Sequence, residues 1–222
     1  MTIEVRQLRS KVPLLDIEAI TIEPGQIYIV LGQNGAGKTT LLKALVGLLG
    51  NTQSSDHRID GLSWDDLSLS ERSNLIGYCP QSLMPHQDLN TERFLASAGY
   101  SSGKSPAACL SAASKILSDN QLSHLAPRSL STLSGGEWQR VILLSLELKD
   151  ASYWFLDEPT NHLDIGSREV LLDALNRYQG TIMFVSHDRY FLKNLATKVL
   201  EVSKGQAYVH PGGYSSYIDS KS

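Results

Sequence analysis

The sequence predicts an α/β fold with a largely parallel sheet, on three observations. Two stretches, QIYIVLG at 26–32 and YWFLDE at 153–158, are continuous apolar runs without alternation, as strands buried on both faces require. TIMFVS at 181–186 is a third. Each run is tied to helical periodicity: GKTTLLKALVGLL follows the first, GGEWQRVILLSLEL precedes the second, and SREVLLDALNRY precedes the third. Strands alternating with helices imply parallel pairing and right-handed crossovers.

The other segments add two layers to that core. TIEVRQL and LDIEAITIEPG alternate and end at a Pro-Gly turn, which predicts an antiparallel β layer beside the main sheet. Residues 82–131 differ: small and polar residues around 97–108 lead into the helix-like CLSAASKILSDNQL, with no buried run. They read as a helical insertion that divides the core, 1–81 and 132–222, of a single domain spanning 1–222. No internal repeat is present, which excludes a solenoid.

Bulk properties narrow the setting. A chain of 222 residues can bury one substantial core without disulfides. Lys plus Arg number 20 against 23 Asp plus Glu, a net charge of −3, so no direct nucleic-acid contact is expected. MTIEVRQLRSKV lacks the apolar core of a signal peptide, and no apolar run nears the roughly 18 residues a membrane span needs. Cys79 and Cys109 lie in no C-x-x-C pair and read as buried, inert thiols in a reducing cytosol. A cytoplasmic location follows, with any membrane role supplied by a partner at the inner face of the cell membrane.

The chemistry begins at GQNGAGKT, residues 32–39, which fits G-x-x-x-x-G-K-[ST] between a buried strand and a helix. Gly32, Gly35 and Gly37 let the backbone curl until successive N–H groups converge on phosphate oxygens, and the following helix adds its positive end. Lys38 supplies a full charge to the β and γ phosphates, and the Thr39 hydroxyl can ligate Mg²⁺. Asp157, at the carboxyl end of a buried strand, suits Mg²⁺ held through its waters. Glu158 follows as a carboxylate able to take a proton from an attacking water. FVSHDRYF, residues 184–191, sets Ser186, His187 and Asp188 side by side, yet contiguous residues rarely close a hydrolase triad and no G-x-S-x-G elbow is present. Asp188 reads instead as a helix cap.

With LSTLSGGEWQR at 130–140 upstream of YWFLDEPTNHLD, a phosphate loop before and a His after a strand, the chain resembles the ATP-binding-cassette (ABC) ATPases along nearly its whole length. The resemblance implies the ABC type of P-loop NTPase fold, with ATP and Mg²⁺ as ligands. It makes Gly32, Gln33, Asn34, Gly35, Ala36, Gly37, Lys38, Thr39 and Thr40 the Walker A loop, Asp157 the Walker B aspartate and Glu158 the general base. Gln81 is similar to the Q-loop glutamine at the metal or lytic water, Asp164 to the D-loop aspartate, and His187 to the switch histidine on the γ-phosphate. Ser134, Gly135 and Gly136 resemble the signature loop, a second anion-binding helix start that completes the ATP site of a partner cassette. A homodimer around two ATPs is implied.

One departure concerns the base. The family stacks adenine on an aromatic residue of the first β layer, whereas SKVPLLD has none, leaving Val12 or Pro13 as apolar surface. Tyr28 and Tyr78 are the alternative stacking candidates, while Trp64 and Trp138 read as packing residues. For the partner, the first half is similar to ATPase subunits of vitamin B12 and iron-chelate importers, which implies a membrane permease docked at SLMPHQDLN, residues 82–90. The last third, with SHDRYFL and VHPGGYSSYI, resembles the F subfamily of ABC proteins, which implies a ribosome or another cytosolic partner. The transporter subunit is the expectation and the F-type protein its alternative.

Overall fold

The computed structural model describes residues 2–11, 14–50, 52–81, 89–100, 103–161 and 163–221. The chain opens with β1 (Ile3–Lys11), β2 (Leu14–Ile22) and β3 (Ile27–Leu31), then α1 (Lys38–Leu45), β4 (Asp56–Ile59) and β5 (Leu62–Ser63). It continues through α2 (Leu69–Leu75), β6 (Ile76–Cys79), α3 (Thr91–Ala98), α4 (Pro106–Asp119) and α5 (Gly135–Lys149). β7 (Tyr153–Asp157), α6 (Ile165–Arg177), β8 (Thr181–Val185), α7 (Arg189–Leu195), β9 (Lys198–Ser203), β10 (Gln206–His210) and α8 (Tyr214–Lys221) complete it.

Six strands form the central sheet in the order β10-β9-β3-β8-β7-β6, parallel except for the edge strand β10. Every residue of β7 and β8 is buried, which explains their unbroken apolar sequences: helices cover one face and a second β layer the other. Successive side chains divide between those faces. Tyr153 and Phe155 join α1 and the antiparallel sheet β2-β1-β4-β5 in one core, while Trp154 and Leu156 join α5, α6 and α7 in another. The alternation of β1 and β2 matches their single buried face.

A third apolar cluster holds α3 and α4 against the outer side of α5. α5 is shared: Ile142, Leu143 and Leu146 pack toward the sheet, and Val141 and Leu144 toward α3 and α4. Trp138 on α5 touches both clusters and lies 5.2 Å from Phe94, so it packs as expected. α4 begins earlier than the apolar run suggests, at Pro106, because Ser105 caps it by accepting from the Ala108 amide. Residues 82–88 of the expected permease contact lie outside the described residues. No helix among the described residues is long and apolar enough to cross a membrane. Cys79 and Cys109 are buried and unpaired, and burial pushes the Cys79 thiol up to about 12.

Trp64 also packs, at the seam between α1, β4 and α2. His57 stacks on one side of it at 4.6 Å, and the Arg72 guanidinium lies 4.7 Å from the ring centroid. Burial pushes the His57 imidazole down to about 4, with nearby Asp65 and Asp56 opposing and Arg72 assisting. Its folded value lies below the unfolded 6.5, so the stabilisation is complete above 6.5 and is lost as pH falls through about 4. The expected loss is on the order of 3 kcal/mol. Urea melts of the wild type and His57→Gln across that window should show a steep acid decline only in the wild type; parallel declines would dismiss His57 as its source.

Candidate functional site

The site forms where parallel strands end. β3 runs into Gly32, whose φ of 156° and close approach to the Val202 carbonyl oxygen leave a Cβ only 2.4 Å of room. Gly35 and Gly37 take φ of 78° and 100°, turning the backbone into α1. Gly37 caps α1 without a side-chain hydrogen bond, so the first amides of the helix have no side-chain acceptor there. Lys38, buried at 9% exposure, folds back across the loop and donates Nζ to the Gly32 and Gln33 carbonyls at 2.9 and 3.1 Å. Ala36 anchors the loop by packing on the core, and Thr40 follows half-buried on α1.

Opposite this loop, Thr39 Oγ1 donates to Asp157 Oδ1 at 2.9 Å. Asp157 is 1% exposed; burial raises its carboxyl above the ordinary range, against the Thr39 hydrogen bond and the charges of Lys43 and Lys38. Glu158 sits at φ 52°, a conformation rarely taken outside glycine, and its amide donates to the Val185 carbonyl at 3.0 Å. That bond carries the β7–β8 ladder one residue further and turns the side chain toward His187, whose Nε2 lies 3.2 Å from Glu158 Oε1. Burial raises the Glu158 carboxyl too, with His187 and Lys38 opposing. Glu158 Oε2 is buried without a partner among the described residues.

One cleft of about 390 Å³ gathers Asn34, Gly35, Lys38, Thr39, Gln81, Glu158 and His187, together with Asn161 and Val185. No motif singles out Asn161; it lies in the turn after β7, and only folding shows that it faces the P-loop. Thr39, Asp157 and Gln81 bring oxygen donors to this edge, the hard set that suits Mg²⁺. The orphaned Glu158 Oε2 and the hydrogen-bonded Thr39–Asp157 pair fit a site completed by a metal, water and phosphate oxygens. No group of three His, Cys, Asp or Glu able to hold a metal occurs among the described residues, so most of the coordination would come from ligand and water.

Ser134, Gly135, Gly136 and Asp164 do not line that cleft. Ser134 caps α5 in a reciprocal capping box with Glu137, and Asp164 caps α6 by accepting from the Ser167 amide at 2.7 Å. The two helix starts are neighbours, since a Cβ at Gly136 would lie 3.0 Å from Ser167 Oγ. The starts of α5 and α6 thus form a second surface outside that cleft. Asp188 caps α7 through the Tyr190 amide, as its position suggested. The stacking candidates are corrected. Tyr28 is fully buried, its hydroxyl accepting from the Glu23 amide, and Tyr78 lines a different cleft with Phe94 and Lys149. Neither ring can take a base beside the P-loop. Val12 and Pro13 lie outside the described residues.

The fold and the cleft define a P-loop nucleotide-binding ATPase domain. The profile described as "ABC transporter" matches residues 15–161, and the chain belongs to that family as one of its ATPase domains. It is 33% identical over 202 residues to ABC transporter F family member 2 of Arabidopsis thaliana, aligning 90% of this chain with 27% of that protein. It is 31% identical over 240 positions to the energy-dependent translational throttle protein EttA of Mycobacterium tuberculosis, aligning 98% of this chain with 43% of that one. The chain therefore spans less than half the length of these curated relatives. Among solved structures, the ATP binding subunit of an ABC transporter superposes with a TM-score of 0.84 at 21% identity, over 100% of this chain and 93% of that one. At that identity the likeness concerns the fold.

Two outcomes test the cleft. Lys38→Ala removes the one full positive charge of the phosphate loop, and ATP binding measured by titration should weaken by about 1.5–3 kcal/mol with loss of turnover. Undiminished turnover would remove the loop from the chemistry. With neither tyrosine available to stack a base, GTP should compete with ATP within roughly tenfold, about 1.4 kcal/mol. A competition titration with a much larger adenine preference would require a base contact other than these two rings.

Proposed function

We propose that the chain hydrolyses Mg-ATP in a composite site that two cassettes share head to tail. The observation that carries this is the Glu158–His187 contact of 3.2 Å in the same cleft as Lys38 and Thr39. Lys38, now held by two loop carbonyls, would exchange them for the β and γ phosphates. Thr39, Asp157 and Gln81 would hold Mg²⁺, which neutralises charge developing on the phosphates. Glu158 takes the proton of the attacking water, its raised carboxyl being better matched to that task than an ordinary glutamate. His187 orients Glu158 and hydrogen-bonds the γ-phosphate.

Ser134, Gly135, Gly136 and Asp164 lie outside their own cleft, which supports their acting on the nucleotide of a second cassette. ATP gripped by both chains then favours association by mass action. Of the two partner settings expected from the sequence, the F-type is the better supported, since the relatives aligned over 90% and 98% of the chain are an ABC F family member and a translational throttle. A ribosomal partner follows from that reading, and a membrane permease is the second setting.

Glu158→Gln keeps the shape of the side chain and removes the base, so it should bind ATP without cleaving it and accumulate closed dimers. Sedimentation with Mg-ATP should show the dimer, and adding Ser134→Arg should abolish it. A monomeric Glu158→Gln, or a double variant that dimerises equally well, would refute the composite site. The same trapped variant should co-sediment with ribosomes in ATP; failure to do so, with capture by a solubilised permease instead, would favour transport.

A further inference from the structure

In the same two turns as Glu158 and His187 lies a pair of hydroxyls that the proposed chemistry does not use. Thr160 and Ser186, 6% and 1% exposed, share a hydrogen bond of 2.9 Å between Oγ1 and Oγ. Thr160 stands two residues after Glu158, in the turn that leaves β7. Ser186 stands one residue before His187, at the end of β8. Ser186 Oγ also accepts from the Asp188 amide at 3.0 Å, so the hydroxyl is bonded on both sides of His187. Asp188 is fixed in turn, its Oδ1 accepting from the Tyr190 amide at 2.9 Å and its Oδ2 lying 3.0 Å from Arg168 on α6. Neither Thr160 nor Ser186 lines the cleft.

The pairing matters because the backbone ladder stops just short of it. The Glu158 amide to Val185 carbonyl bond is the last link of that ladder, and beyond it no backbone-to-backbone hydrogen bond joins the two turns among the described residues. His187 is 63% exposed, and its ring contacts Glu158 with no other hydrogen bond among the described residues. Apart from the Thr160–Ser186 pair, the two turns are joined through the Glu158 carboxylate, which meets the His187 ring and backbone and is itself one of the groups to be positioned. An apolar pair could fill the same space, but it would have no preferred direction, whereas a hydroxyl pair away from water sets one distance and one angle.

We propose that Thr160 and Ser186 form a positioning clip that holds the Glu158 turn and the His187 turn at their working separation. This rests on the roles assigned above to Glu158 and His187. Both hydroxyls act through those residues and touch no reacting atom. A displacement of about 1 Å in a reacting group can cost about a hundredfold in rate. Binding of ATP, which depends on the phosphate loop, should be nearly indifferent to the clip.

The test uses the purified chain, with steady-state Mg-ATP hydrolysis and nucleotide binding measured separately. Thr160→Val should lower kcat by about ten- to a hundredfold with KM and ATP affinity within about twofold. Thr160→Ser, which restores the hydroxyl, should recover the rate. Ser186→Ala should lose at least as much, because it also leaves the Asp188 amide without its acceptor, and the double variant Thr160→Val/Ser186→Ala should be no slower than Ser186→Ala alone, because the shared hydrogen bond is lost once. Losses that multiply, a Thr160→Ser variant as slow as Thr160→Val, or a KM that rises in step with the lost rate would each overturn the clip. So would full activity of Thr160→Val in a preparation where Glu158→Gln is inactive. An active Glu158→Gln is a different result, which overturns the general-base assignment itself. Should Thr160→Val not fold, Ser186→Ala and Thr160→Ser decide the same question.

Discussion

The nucleotide edge depends on the register of β8 between its two parallel neighbours. Val185 lies opposite Val30 of β3 on one side and Asp157 of β7 on the other. Parallel strands in that register end together, so the loop after β3, the acidic turn after β7 and the His187 turn after β8 emerge at one edge. A slip of one residue would exchange the two faces of β8 and carry Phe184 into the core now filled by Val185. The cost of that exchange, spread over a strand buried along its whole length, holds the cleft in place.

Around this edge burial outweighs the compensation that nearby Lys38, Lys43 and His187 give the two carboxylates. Asp157 and Glu158 are both desolvated, and their carboxyls are held above the ordinary range for that reason. Lys38 is nearly buried and satisfied by backbone carbonyls, which are weaker partners for an ammonium than a phosphate would be. These groups fit a ligand that would bring negative oxygens to Lys38 and a cation to Asp157. α5 ties this chemistry to the rest of the molecule, because it opens at Ser134 on the second surface and packs against both the sheet and the α3–α4 layer.

The parts of the site that could be read in advance are those with short-range physics. The phosphate loop is visible because three glycines, a lysine and a threonine must follow one another for the backbone to turn and the helix to begin. Asp157 and Glu158 are visible because two carboxylates at the end of a buried apolar strand are costly to desolvate unless a cation or a proton is there to meet them. Asn161, the Thr160–Ser186 hydrogen bond and the Arg168–Asp188 pair were not, since each is a meeting of segments whose neighbours in sequence say nothing about it. Tyr28 misled for the same reason: an aromatic close to the phosphate loop in sequence turned out to belong to the core.

By itself, the sequence determined the class of fold, the three apolar strands of the parallel core with their helices, the phosphate loop and the two helix starts able to face an anion. These follow from periodicity and from local backbone sterics, which act over a few residues. Only the tertiary structure decided that Asn161 joins the cleft of Lys38, that Glu158 takes a left-handed conformation, and that the starts of α5 and α6 meet at Gly136 and Ser167. Those facts depend on strand order and register, which are settled by the joint burial of β3, β7 and β8 and not by any one segment.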